Sequence, residues 1–423
     1  MLRFYNGKVL RFSPEIRLTG EEVWTDGSGI AYVGPPKSDM PDFERQIDLR
    51  GDVLMPGFKN AHTHTAMTFL RSLADDMELS SWLSRIVWPN EAKLTDEAVY
   101  CFTKLGIMEY LTSGITASFD MYVHNEAYAK ANIDAGFRTV ICSGLNNFDA
   151  DPENIEREFL RYNGMHELVS YQLGIHAEYT TSLDRMEYLA SLAEKYRAPC
   201  FTHLCETKAE SEGCIQRYGM TAPQVLDKIG FFRYGGGGFH CCFLSEEDIR
   251  LFAGRGLWAV TCPASNLKLA SGIAPVETLR KAGIPIAIGT DGASSNNALD
   301  FFREMYLVTA LQKIYEEDAS ACPAAEVLKM ACVNGARALA LKDCDDSAPG
   351  KKADLIVIDL HRPNMHPVTS LISNIVYAGS KENVRLTMVN GRILYENGEF
   401  FIGEDPEELY ACADSLCRSI CRP

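Results

Sequence analysis

The 423-residue sequence predicts an α/β fold, a (β/α)8 TIM-like barrel carrying a small discontinuous β-sandwich domain made from both chain ends. Three observations lead to it. The middle of the chain alternates short apolar runs with longer stretches of helical periodicity. Five of the nine histidines fall where those apolar runs end. Both ends of the chain are series of short strand-like segments broken by turn pairs.

Residues 1–55 contain LRFYNGKVLRF, IAYVG and QIDLRGDVLM, separated by NG, DGSG and PP, and form the first part of the sandwich. Residues 56–346 form the barrel. Its first strand leads into His62, and the others are GITASFD, RTVICSGL, SYQLGIHA, PCFTHLCE, GGGFHCC, LWAVTCPAS and PIAIGTDG. Segments such as SLDRMEYLASLAEKYRA and SEEDIRLFAGRG supply the intervening helices. The GGGG at 235–238 is read as a turn before a strand. A doubly wound open sheet is the alternative fold, but no Gly-rich dinucleotide fingerprint follows the first strand. Residues 347–423 return to strands, ADLIVIDL and RLTMVNGRILYENG, with hairpin pairs Asn390-Gly391 and Asn397-Gly398. A C-terminal helix closes the chain. Cys412, Cys417 and Cys421, interspersed with Leu416 and Ile420, are read as a face of that helix and not as a zinc site.

A hydrophobic fraction of 46% and a charged fraction of 23% describe an ordinary globular chain. The net charge of −16 and the lack of a Lys/Arg block exclude a nucleic-acid surface. No run is apolar and long enough for a bilayer, and no basic, apolar leader precedes the first strand, so the expectation is a cytoplasmic protein without membrane association, acting on a small molecule. The 14 cysteines are scattered without C-x-x-C spacing, which fits a reducing compartment.

Chemistry concentrates at the strand ends. In PGFKNAHTHTAMTFLR, His62 and His64 are two residues apart, a spacing that aims both imidazoles to one side of an extended strand. His176 ends the fourth strand, His203 and Glu206 follow the fifth, His240 the sixth and Asp291 the eighth, while His124, His166, His361 and His366 lie elsewhere. Each has a plain reading by itself: a core histidine bonded to a carbonyl, a turn Asp before Gly292, a helix-start Glu. Five histidines and two acids at the mouth of one barrel are a different matter. Imidazoles with a carboxylate suit Zn²⁺ with a position left for water, whose pKa such an ion lowers. Asp291 is placed to ligate and to accept a proton, and Glu206 to carry a proton to the substrate.

The motifs PGFKNAHTH, LRSLADDMELSSWL, WPNEAKLT, GIHAEYTTS, HLCET, FHC, CPASNLKLASG, GTDGASSNNALD and GKKADLIVIDL occur in that order. On them the chain resembles the deaminase and chlorohydrolase branch of the amidohydrolase superfamily, and within it the 5'-methylthioadenosine/S-adenosylhomocysteine deaminases. The resemblance implies one zinc (or iron) ion on His62, His64, His203 and Asp291, with His240 orienting the water and stabilising the oxyanion. The absence of a lysine at the end of the fourth strand fits a single metal. It further implies that Trp88 and Glu91 of the WP-x-E motif and His176 contact an adenosine-type substrate, that Ser295 and Asn296 form a substrate-side turn, and that the protein is a homo-oligomer, a dimer or tetramer.

Two departures stand out. Ser143, in ICSGLNN, replaces a usual arginine, and Glu178, in HAEYTTS, replaces a small residue or proline. Loss of that guanidinium disfavours S-adenosylhomocysteine relative to smaller nucleosides, with Arg157 or Arg161 as its candidate substitutes. Glu178 has two readings, a substrate contact or a pair with an arginine at the pocket wall. The function read from all this is zinc-dependent hydrolytic deamination of an aminated purine, a 5'-modified adenosine, with release of ammonia. The alternatives on the same scaffold are deamination of a free base such as guanine, 8-oxoguanine, a pterin or cytosine, or hydrolysis of a triazine. The H-x-E and P-C-x-x-C signature of the zinc nucleobase deaminases is absent.

Overall fold

Eight strands lie side by side, all parallel and in sequence order: β1 (Phe58–Thr63), β2 (Ile115–Asp120), β3 (Arg138–Cys142), β4 (Val169–Ala177), β5 (Cys200–Leu204), β6 (Gly236–His240), β7 (Trp258–Thr261) and β8 (Ile286–Ile288). Residues 1–73, 75–148 and 151–421 are described, from a computed structural model. Strands covered on both faces carry continuous apolar runs, and almost every residue of these eight is buried. The first and last strands meet where Asp291 N donates to His62 O at 3.0 Å and Thr290 N to Asn60 Oδ1 at 2.9 Å. That approach requires Gly289, because a Cβ there would stand 2.7 Å from His62 O.

Phe119, Phe201 and Phe239 fill the barrel interior in mutual contact, with Ala61, Val140, Val260 and Ala287 around them. The His62 ring stacks on Phe239 at 3.9 Å, so the aromatic layer is the floor of the site. The glycines at 236–238 are not a turn. They form most of β6, since a Cβ at Gly236 or Gly237 would strike Cys200 O or Trp258 O at 1.8 and 2.1 Å.

The chain ends build two further sheets. One has four strands, Gly29–Gly34, Glu22–Asp26, Leu2–Tyr5 and Arg45–Asp48 in spatial order. The other has seven and mixes both ends: Val53–Pro56 pairs antiparallel with Leu355–Ile358 on one side and parallel with Lys8–Arg11 on the other. Phe4, Val23, Ile30, Leu54, Leu355 and Met388 pack between the sheets, which makes them a sandwich. Glu22–Asp26 and Arg17–Thr19 are strands that the sequence reading left out. A buried ion pair, Arg138 Nε to Asp354 Oδ2 at 2.7 Å, ties the start of β3 to the sandwich. The C-terminal helix Pro406–Ile420 lies on the barrel, with the Cys417 thiol on Phe69 O and Cys421 packed beside it, whereas Cys412 is exposed. Among the described residues no helix is long and apolar enough to cross a membrane.

Candidate metal centre and active-site cavity

The C-terminal ends of the strands deliver their polar residues to one point. His62 lies within β1 and His64 just beyond it, and Asp291 Oδ1 is 3.6 Å from His62 Nε2 and 3.2 Å from His64 Nε2. His203 Nε2 is 3.4 Å from His64 Nε2. The donor atoms of His62, His64 and Asp291 fall within 4.8 Å of one another, as do those of His62, His203 and His240. Both ring nitrogens of His62 are buried without a hydrogen-bond partner. A buried polar atom left in this way is costly, and a divalent cation is a partner that borderline nitrogen donors accept. The donor set therefore fits a metal ion.

The imidazoles are aimed from behind. His203 Nδ1 sits 2.7 Å from His176 O, and His64 Nδ1 is bonded to Met121 O. A histidine ligand whose other nitrogen donates to a carbonyl has its tautomer and ring plane fixed. Burial lowers the pKa of His62 and His203 well below the ordinary imidazole value, reinforced by the neighbouring imidazoles, and so keeps their lone pairs available. Burial also acts on His64, but the hydrogen bond and charge of Asp291 outweigh it and raise that ring to about 9. Asp291 in turn is held well below the carboxylate range, burial being overcome by His64 and the other imidazoles. Its second oxygen, Oδ2, accepts hydroxyls from Ser265 at 2.6 Å and Ser295 at 2.8 Å. Asp291, His240 and Cys241 all have positive φ, at strand ends where the chain turns sharply.

Glu206 stands in the loop between β5 and the helix Lys208–Tyr218, not on the helix, whose N-cap is Thr207. Its Oε1 accepts from Ser271 Oγ at 2.9 Å and its Oε2 lies 3.7 Å from His240 Nε2. Burial raises the Glu206 carboxyl, with Asp291 adding to the shift and His240 opposing it. His240 is anchored from its other nitrogen by Asn266 Oδ1 at 2.7 Å.

A cavity of about 500 Å³ opens over this cluster. His64, His203, Glu206, His240 and Asp291 form its base, and Trp88, Glu91 and His176 its wall. Leu79, Leu83, Val87 and Phe148 make the outer wall apolar, and the Trp88 ring meets Phe148 at 5.4 Å between centroids. Burial raises Glu91 to about 7, against the Tyr122 hydroxyl and His64, and burial lowers His176 to about 4. Ser295 and Asn296 face away from this cavity. The first is spent on Asp291, and Asn296 Nδ2 donates to Thr290 O and Glu304 Oε1, because the turn after β8 folds back under the strand ends.

The two departures also find their places. Ser143 is internal, its hydroxyl donating to Gly174 O at 2.8 Å and accepting from Gly174 N at 2.6 Å. Glu178 is a buried partner of Arg217, with contacts of 3.0 and 2.5 Å. Neither Arg157 nor Arg161 replaces a cavity arginine. They pair on the surface with Asp151 and Glu126, carried outward by the helix Asn154–Met165.

The profile of the amidohydrolase family matches residues 53–394. The chain belongs to the amidohydrolase family. Two amidohydrolase relatives cover nearly all of it: the 5-methylthioadenosine/S-adenosylhomocysteine deaminase of Pyrococcus furiosus, 37% identical over 93% of this chain and 95% of its own length, and that of Caldanaerobacter subterraneus, 36% identical over 99% and 98%. Among solved structures, an adenosine deaminase from Xanthomonas campestris with bound zinc superposes with a TM-score of 0.94 at 32% identity, covering 99% of this chain and 98% of that one.

Four residues of the amidohydrolase site escape a reading of strand-end histidines and acids. Ser265 and Asn266, in CPASN after β7, hold Asp291 and His240. Glu210 accepts the backbone N–H groups of Cys205 and Glu206, both at 2.8 Å, and so shapes the loop that presents Glu206. Tyr122, two residues past β2, lines the cavity. The signal for three of them was their place directly after a predicted strand, where a barrel keeps its functional residues.

Proposed function

We propose that the protein hydrolytically deaminates an adenosine modified at the 5' position, releasing ammonia, with one zinc ion held by His62, His64, His203 and Asp291. The observation that carries this reading is the meeting of a metal-fitting donor set with a second, buried acid and a fourth imidazole, Glu206 and His240, at the base of one cavity. Bound there, zinc supplies Lewis acidity that makes water a nucleophile at neutral pH. Asp291 accepts the proton that this water gives up. Glu206, whose carboxyl burial raises toward the acid form, protonates the purine ring nitrogen next to the carbon under attack, which makes that carbon more electrophilic. His240 Nε2 faces Glu206 and, in the imidazolium form, donates to the oxygen that becomes the oxo group, its orientation set by Asn266. The carbon–nitrogen bond to the amino group then breaks: the amino nitrogen leaves as ammonia with the proton that Asp291 took from water, and the hydroxyl proton passes to Glu206 as the oxo group forms, which restores that acid.

Trp88, Glu91 and His176 line the wall against which the nucleoside lies. A nucleoside with a small uncharged 5' group suits the apolar outer wall of Leu79, Leu83, Val87 and Phe148. The names of the relatives point the same way. The test is ammonia release by the zinc-loaded protein from 5'-methylthioadenosine, 5'-deoxyadenosine, adenosine, S-adenosylhomocysteine, guanine, 8-oxoguanine and cytosine. Turnover of nucleosides that disappears in Glu206→Gln is expected. Turnover of a free base alone overturns the substrate assignment and leaves the metal centre standing.

A further inference from the structure

One short stretch of chain after β7 touches three groups of the site in succession. In the helix Pro263–Lys268 and the turn that follows it, Ser265 Oγ donates to Asp291 Oδ2 at 2.6 Å, Asn266 Oδ1 lies 2.7 Å from His240 Nδ1, and Ser271 Oγ donates to Glu206 Oε1 at 2.9 Å. The stretch is folded onto itself: Ala270 takes a φ of 53°, and Ser271 N donates back to Asn266 O at 2.9 Å. Glu304 Oε2 fixes its start by accepting the Ala264 N–H at 3.1 Å. Ser265 serves the metal centre and Asn266 the imidazole; Ser271 serves the acid.

A serine hydroxyl carries one proton, and of the two oxygens of a carboxyl only one holds a proton in the acid form. Ser271 and Glu206 are both buried, and among the described residues the Ser271 hydroxyl makes no other hydrogen bond. An acid proton on Oε1 would point at Ser271 Oγ and leave the serine proton without an acceptor, which is unfavourable in a buried place. With the proton on Oε2, Ser271 keeps its bond to Oε1 and nothing is orphaned. Oε2 is the oxygen on the His240 side, 3.7 Å from Nε2, at the base of the cavity. We propose that Ser271 is a positioning residue that confines the acid proton of Glu206 to Oε2, the oxygen that delivers it to the substrate, an inference that rests on Glu206 being the proton donor of the reading above. The bond to Oε1 persists when Glu206 is ionised, since a carboxylate oxygen accepts it as well, so the carboxyl group does not rotate between giving up its proton and taking one back.

The experiment compares Ser271→Ala and Ser271→Thr with the parent on whichever substrate of the ammonia-release panel is turned over fastest, with zinc affinity from chelator competition and the unfolding midpoint measured for each. Ser271→Ala is expected to lose about 10- to 100-fold in kcat, with KM and zinc affinity each within about twofold of the parent, because Asp291 and the imidazoles keep their own supports. Ser271→Thr, which retains the hydroxyl, recovers most of the lost kcat. A kcat for Ser271→Ala equal to that of the parent overturns the assignment. So does a fall in zinc affinity as large as the fall in kcat, the mark of a displaced segment. Turnover that survives in Glu206→Gln overturns the acid role and this inference with it, whereas loss in Glu206→Gln without loss in Ser271→Ala overturns this inference alone.

Discussion

Asn266 Oδ1 lies 2.7 Å from His240 Nδ1, and the opposite nitrogen of the same ring lies 3.7 Å from Glu206 Oε2. An amide oxygen can only accept, so Nδ1 carries a proton, and a second proton on Nε2 makes the imidazolium that donates into the cavity. Both side chains of the pair are buried, with Nδ1 and its amide partner on the side away from Glu206.

Replacing Asn266 with Ala frees the His240 ring to rotate and removes the acceptor of its Nδ1 proton. We expect kcat for ammonia release to fall about 10- to 100-fold, with KM nearly unchanged, as for other groups that orient a catalytic ring from behind. Steady-state kinetics on the best nucleoside reads this directly. A fall in KM of the same size as that in kcat would contradict it.

Ser265 and Ser295 share Asp291 Oδ2, so Ser265→Ala removes one of two donors that orient the carboxylate. Metal affinity is expected to drop about 10-fold, within the range for groups that support a ligand. Competition with a chromophoric chelator measures it. Ser295→Ala should give a similar loss, and the double variant more than either.

Glu210 holds the turn after β5 by accepting the N–H groups of Cys205 and Glu206. Glu210→Ala leaves two buried donors unpaired, at a cost of about 1–3 kcal/mol each before relaxation. The expected outcome is a lower unfolding midpoint together with a kcat reduced about 10-fold through displaced Glu206. Glu210→Gln keeps one acceptor and should recover part of both losses.

A pH test away from the site uses Glu277, whose carboxyl is lowered to about 2 by its hydrogen bonds to Arg280, against the effect of burial, with help from Cys322 N. A depressed folded pKa stabilises the protein above the unfolded value of about 4.5, and the contribution disappears as pH falls through about 2. Glu277→Gln should therefore be less stable than the parent by about 1–3 kcal/mol at pH 7, with the gap narrowing between pH 4.5 and 2.5. Urea midpoints at pH 7, 4 and 3 test the trend. A gap constant with pH would rule the carboxylate out as its source.

Much of the barrel was legible because strands covered on both sides must be apolar, so GITASFD, RTVICSGL and PCFTHLCE stand out from the helices between them. His62, His64, His203, His240 and Asp291 were legible for a related reason: polar residues at the ends of such strands face one another across the barrel mouth. What stayed hidden depends on neighbours distant in sequence. Nothing in HAEYTTS says that Glu178 meets Arg217, which is 39 positions later, or in ICSGL that Ser143 spends its hydroxyl on Gly174. Ser295 was misread because a serine four residues after an aspartate can turn to the cavity or back to the carboxylate, and the backbone alone decides between them. The glycines of β6 looked like a turn because composition does not reveal that two flanking strands leave no room for a Cβ.

The pairing of Val53–Pro56 with Leu355–Ile358 joins segments made early and late in translation. While a ribosome is still adding the barrel, Val53–Pro56 has Lys8–Arg11 on one edge and nothing on the other, and β1 continues from its end. The strand that leads into the peptide bearing His62 and His64 thus gains its second neighbour only when Leu355–Ile358 emerges and slots in beside Val53–Pro56. The chain behaves as a belt whose buckle is its last strands: a stalled or prematurely terminated product presents an open strand edge immediately before the metal-binding segment, a template for pairing with other chains and a target for proteolysis.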